Sequence, residues 1–107
     1  MKRTLEIKDQ IFKIPTKSIL YTAYGFDGCP YSENTALILN NLNKNKTLTR
    51  VFMINYNDTI NKKNSLHEFL TNNTNMKSSY NTWPCVFYKG EFIGGNSELV
   101  QHLHNHN

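Results

Sequence analysis

Gly28-Cys29-Pro30-Tyr31-Ser32 is the stretch on which the reading of this chain turns. It follows an apolar run, Ile19-Leu20-Tyr21-Thr22-Ala23-Tyr24, that reads as a buried strand. It opens a segment, Ser32 to Leu42, that reads as a helix. The first N–H groups of a helix have no acceptor within it, and the dipole places partial positive charge there. A cysteine at that junction is held where a thiolate is stabilised, and the thiolate is the nucleophilic form. Pro30 suits the first helical position, where its missing N–H removes no bond. The plain alternative for Cys29 is an inert core cysteine.

Working outward, 107 residues make one domain with a single modest core. The net charge of +4 is mild and its lysines and arginines are scattered, so no nucleic-acid footprint is expected; a small anionic substrate suits it equally. No apolar run is long enough to span a bilayer, and Met1 to Glu6 lacks the apolar block of a signal peptide. The expectation is a cytoplasmic protein without membrane contact. Cys29 and Cys85 are too few for a disulfide-stapled secreted domain. The abundance of Asn and Lys suits AT-rich coding, as in a large DNA virus or an AT-rich microbe; a viral protein would sit in the host cytoplasm or the virion.

In chain order, residues 1–17 fit no clean period and read as an N-terminal arm, strand or short helix, ended by Pro15. Residues 18–107 form the main domain. Ser18 to Tyr24 is its first strand. Tyr31, Thr35, Ile38, Leu39 and Leu42 recur at helical spacing and predict the buried face of the first helix. Thr49 to Tyr56 is a continuous apolar strand, as expected between helices in a parallel pair. Asn57 to Asn64 reads as polar loop. Ser65 and Glu68 suggest a capping box opening a short helix with Leu66, Phe69 and Leu70 inward. Thr71 to Asn81 reads as a loose loop. Pro84 to Tyr88 and Glu91 to Ile93 form a hairpin around Lys89-Gly90. Asn96 or Ser97 caps a last helix carrying Leu99, Val100 and Leu103. The predicted architecture is α/β, a four-stranded mixed sheet flanked by helices.

From Ser18 to Leu103 the chain resembles the glutaredoxins of the thioredoxin-fold superfamily. Cys29-Pro30-Tyr31-Ser32 is similar to their Cys-Pro-Tyr-Cys with serine in the last place. Thr82-Trp83-Pro84, the hairpin after it and Gly94-Gly95 are similar to their Thr-Val-Pro strand and Gly-Gly turn. The resemblance implies a thioredoxin-like fold, a cis Pro84 facing Cys29, and glutathione as co-substrate. It further implies that the backbone of Trp83 pairs with the cysteinyl part of glutathione, and that Gly95, Asn96 and Ser97 hold its γ-glutamyl part, with Tyr31 flanking the thiolate. The partners implied are glutathione and glutathionylated proteins or small disulfides, met by a monomer without a metal.

Four departures alter that pattern. Phe26 stands about where the family has a lysine for a glutathione carboxylate, with Lys77 or Lys63 as replacements. Trp83 replaces a smaller residue and Ser97 an aspartate. Ser32 replaces the second cysteine, leaving a monothiol cycle through Cys29, with the Ser32 hydroxyl available to donate a hydrogen bond to the thiolate or merely to start the helix. Cys85 reads as core, since the residue after Pro84 points away from it. His102, His104 and His106 read as a fraying tail rather than a metal site, and His67 as an ordinary surface residue. Two other functions compete: an iron–sulfur carrier sharing a cluster between two subunits through Cys29 and glutathione, which Pro30 opposes by stiffening the loop, and a non-catalytic binding module.

Overall fold

A computed structural model describes the backbone of residues 3–105, and the side chains of all of these except 59–61. The arm is a hairpin. Strands β1 (Thr4–Ile7) and β2 (Gln10–Lys13) pair antiparallel, Leu5 opposite Phe12 and Ile7 opposite Gln10. Its tight turn puts Lys8 at φ 50°. The main domain follows as β3 (Tyr21–Phe26), α1 (Pro30–Lys44), β4 (Thr49–Ile54), a 3-10 turn at Tyr56–Asp58, α2 (Thr59–Asn73), β5 (Cys85–Tyr88), β6 (Glu91–Gly94) and α3 (Asn96–Asn105). The strands lie in the order β4-β3-β5-β6, with β3 and β4 parallel and β5 and β6 antiparallel to their neighbours. No described helix is long and apolar enough to cross a membrane.

The alternation of side chains along a strand divides the core in two. Tyr24, Phe52, Ile54, Cys85 and Phe87 belong to one cluster, completed by Ile7 and Phe12 of the hairpin and Leu66, Phe69 and Leu70 of α2. Tyr21, Ala23, Val51 and Val86 belong to the other, with Leu39 of α1 and Leu99 of α3. The arm is therefore a wall of the core and not an appendage. Two further links fasten it: Gln10 donates from Nε2 to the Met53 carbonyl at 2.7 Å, and Lys8 pairs with Asp58 at 2.7 Å.

Several expectations need correction. Helix α2 begins at Thr59, where a polar loop was expected, so Ser65 lies inside it and cannot form the capping box. Its first turns carry few apolar residues, and Asn64 and Ser65 there are exposed, which hides the helix start from an apolar pattern. Tyr31 is 65% exposed and Val100 is also exposed, so neither packs in the core; the buried residues of those helices are Ser32, Thr35 and Leu39, and Leu99, with Ile38, Leu42 and Leu103 packed beside them. The stretch after α2 is stitched down rather than loose. Met76 is buried, Asn75 accepts from the Phe92 N–H at 2.8 Å and donates to Glu91, and His67 donates from Nε2 to the Tyr80 carbonyl at 2.6 Å. His67 is thus a loop anchor. His102 does not fray either: it shares a 2.6 Å hydrogen bond with the Tyr21 hydroxyl and its ring lies 4.4 Å from that of Tyr88. Asn105 closes the described part of α3, and His106 lies outside the described residues.

Candidate active site

Cys29 is the N-cap of α1, in extended conformation (φ −91°, ψ 115°), and Pro30 takes the first helical position. Its carbonyl accepts the Glu33 N–H at 2.9 Å, the first bond of the helix, while its side chain makes no capping bond. The thiol is half-buried and free. The loop before it is tight. Cys29 N–H donates to the Phe26 carbonyl at 3.3 Å, and Gly28 N–H to Glu33 Oε2 at 2.8 Å. Glu33 was not singled out from the sequence, although an acidic residue in a first helical turn is a recognisable signal.

Ser32 behaves differently from the expectation. It is buried, 1% exposed, and its Oγ has no hydrogen-bond partner among the described residues. The hydroxyl is turned down onto β3, and a Cβ at Gly25 would stand 2.4 Å from it. Glycine at 25 is thus what lets α1 seat so closely on the strand. The hydrogen bond to Cys29 is not made, because the inward face of the helix carries Ser32 toward the sheet. A buried hydroxyl without a partner costs about 1–3 kcal/mol.

Trp83 and Pro84 are joined by a cis peptide. The Trp83 ring meets the Phe26 ring edge-on at 6.2 Å, which ties this segment to the loop that carries Cys29. On one side of Trp83 lies a groove of about 190 Å³ that brings together Tyr31, Trp83, Gly95, Asn96 and Ser97. Pro84 is buried, its carbonyl accepting from the hydroxyl of Tyr80, which also lines the groove, at 3.3 Å. Gly95 is needed there: a Cβ would stand 2.8 Å from the Tyr80 oxygen. The Asn96 side chain is held by its amide oxygen. Its Oδ1 accepts from Asn34 and Thr35, at 3.0 and 2.8 Å, and so braces α3 against α1. Asn96 and Ser97 stand in the first turn of α3, where backbone N–H groups have no acceptor within the helix. The groove also holds Glu98, which the sequence reading missed. Its Oε1 accepts the Gly95 N–H at 2.7 Å, reaching back from the third helical position as in a capping box.

On the other side of Trp83 a second groove, about 210 Å³, is lined by Lys63, Asn64, His67, Ser78 and Asn81. Lys63 Nζ stands 5.7 Å from the centre of the Phe26 ring. Of the two lysines considered for the missing loop lysine, Lys63 is therefore the one beside Phe26. Tyr56, 73% exposed, is a further aromatic at this end, its ring about 3 Å from where a Gly28 Cβ would be. Among the described residues no three His, Cys, Asp or Glu gather into a metal-binding set.

Cys85 is closed off from solvent. It is fully buried between the sheet and α2, its Sγ 3.6 Å from the Thr82 carbonyl, and burial pushes its thiol up to about 12. Deprotonation then begins only as pH nears that value, and the thiolate is the form that alkylates. Iodoacetamide at pH 8 is expected to label Cys29 in the folded protein and to leave Cys85 unlabelled until denaturant is added. Peptide mapping checks this, and equal labelling under native conditions would contradict the burial.

No family model matches the sequence, and no curated protein matches it. Solved structures do. A dithiolic glutaredoxin from Trypanosoma brucei brucei superposes with a TM-score of 0.60 at 22% identity, over 83% of this chain and 81% of that one. The holo form of glutaredoxin C1 from Populus tremula x tremuloides gives 0.57 at 20%, over 84% and 79%. Reduced Escherichia coli glutaredoxin gives 0.56 at 17%, over 80% and 94%. At such identities the likeness is one of fold: the chain has the thioredoxin-like fold in the form that glutaredoxins share.

Proposed function

We propose that this chain, built on the glutaredoxin form of the thioredoxin-like fold, is a glutathione-dependent thiol–disulfide oxidoreductase that works through Cys29 alone. The observation that carries the reading is the half-buried Cys29 thiol at the N-cap of α1, with the segment of the cis Trp83–Pro84 peptide tied to its loop by the Phe26–Trp83 ring contact. In the proposed cycle the Cys29 thiolate attacks the glutathione sulfur of a mixed disulfide. The S–S bond breaks, and the partner leaves as a thiolate that takes a proton from solvent. A second glutathione thiolate then attacks the sulfur joined to Cys29, freeing oxidised glutathione and restoring the enzyme.

The groove beside Tyr31 and Trp83 is the proposed seat of glutathione. The N–H groups of Asn96 and Ser97 suit its γ-glutamyl carboxylate, and Glu98 suits its amino group in place of the aspartate that Ser97 replaces. Lys63 is the proposed partner of its other carboxylate. The proposed surroundings are cytoplasmic, with the protein acting as a monomer on glutathionylated proteins or small disulfides. The test is reduction of a small glutathione mixed disulfide with and without reduced glutathione. Turnover that requires glutathione is expected, and none at any glutathione concentration would refute the reading.

Ser32→Cys supplies a second test. Positions 29 and 32 are the N-cap and third residue of one helix, a single turn apart, within the reach of a disulfide. The variant carries three thiols, and mild oxidation without glutathione is expected to leave only that of Cys85. The glutathionylated form should become shorter-lived, because the new thiol competes to expel glutathione. Three thiols surviving oxidation would show that the two positions do not meet.

A further inference from the structure

A groove of about 290 Å³ opens at the other end of the sheet, where the open ends of the hairpin stand over β3 and β4. Cys29 follows the C-terminal end of β3, whereas Thr22 and Arg50, paired across β3 and β4, lie toward the N-terminal ends. Three cations from three different strands or their flanks line this groove: Arg3, Lys13 and Arg50. No acidic residue lines it, and none of the three forms an ion pair among the described residues. The contrast with Lys8 is informative, since that lysine in the same hairpin is matched to Asp58. Like charges brought together without a counter-charge repel one another, and a bound anion relieves this. Ile19 and Phe52 give the groove an apolar part and the buried Thr22 a polar one.

We propose that this groove binds a small phosphorylated molecule with an apolar or flat body, such as a nucleoside phosphate. Guanidinium groups match phosphate oxygens in paired hydrogen bonds, and three cations suit the two or three charges of a mono- or diphosphate. The volume lies at the small end of ligand sites, which fits a single nucleotide and not a larger cofactor. The proposal is independent of the chemistry at Cys29.

Calorimetric titration of the full chain with ADP at physiological salt tests it, with inorganic pyrophosphate and a short single-stranded oligonucleotide as parallel probes. One ADP per chain is expected, bound more tightly than pyrophosphate. Arg3→Gln and Arg50→Gln should each weaken it about tenfold or more. Lys44→Gln removes the same charge from the end of α1 and should leave ADP binding unchanged, as should Cys29→Ser. The three charge variants alter exposed side chains, and circular dichroism verifies their folding. Absence of ADP binding at millimolar concentration overturns the proposal. So does an equal loss in Lys44→Gln, which would mean only net charge, or binding of the oligonucleotide alone, which would mean a polyanion surface.

Discussion

Cys29→Ser is expected to remove glutathione-dependent reduction of a mixed disulfide, by roughly three orders of magnitude or more, because no other group can take over the nucleophile. Cys85→Ser is expected to leave most of it. The two cysteines differ in setting. Cys29 caps α1 at the loop end, while Cys85 is sealed in the cluster that α2 and the hairpin cover. A serine hydroxyl at 85 would still find the Thr82 carbonyl as acceptor, so folding should survive the change. Mass spectrometry after exposure to oxidised glutathione should show one adduct, on Cys29. Equal losses of activity from the two substitutions, or an internal disulfide between these cysteines, would end the single-thiol reading.

Phe12→Ala is expected to have the largest effect on stability, a loss of about 3–5 kcal/mol. Phe12 is fully buried, with its ring 5.9 Å from that of Phe52 and among Ile7, Tyr24 and Leu66. Removing the ring leaves a cavity bounded by sheet on one side and hairpin on the other. Its neighbour Ile11 points to water at 58% exposure, and Ile11→Ala should change stability by no more than about 0.5 kcal/mol. Urea unfolding of both variants measures the contrast. Equal small losses would show that residues 3–14 rest on the domain without completing its core.

The legibility of this molecule varied with the length of its patterns. The junction at Cys29 and the strand, turn and strand after Pro84 carry residue types that admit few alternatives. A proline at the first helical position and a Lys-Gly turn are local signals, and the backbone obeys them. The hairpin at the start was hidden because each strand is four residues long and the turn shifts the phase between them. Leu5 and Ile7 alternate, then Phe12 and Ile14 alternate on a different count. Helix α2 was misplaced because Ser65 and Glu68 imitate a helix start within a helix that has no side-chain cap of its own at Asp58. Tertiary partners misled in the same way at the candidate site. Ser32 was expected to serve Cys29, but Gly25 leaves a hollow beneath it that no spacing rule encodes. At Asn96 the fold adds a role that spacing does not show, since Asn34 and Thr35 claim its side-chain oxygen from more than sixty residues away.

The hairpin also sets an order of events for a chain made from its N-terminus. Its partners are Tyr24, then Met53 and Asp58, then Leu66 to Leu70, and all but the first emerge from the ribosome long after it. The central strand β3 waits longer still, because one of its two neighbours is Cys85–Tyr88. Ile7 and Phe12 are therefore synthesised first and covered late. A nascent chain stalled before α2 holds Ile7 and Phe12 without a lid, where chaperones or other nascent chains can reach them. Contacts between such distant positions also close slowly, since a long loop must be ordered before it is rewarded. Moving the hairpin's sequence to the C-terminus by circular permutation would reverse that schedule while keeping every native contact.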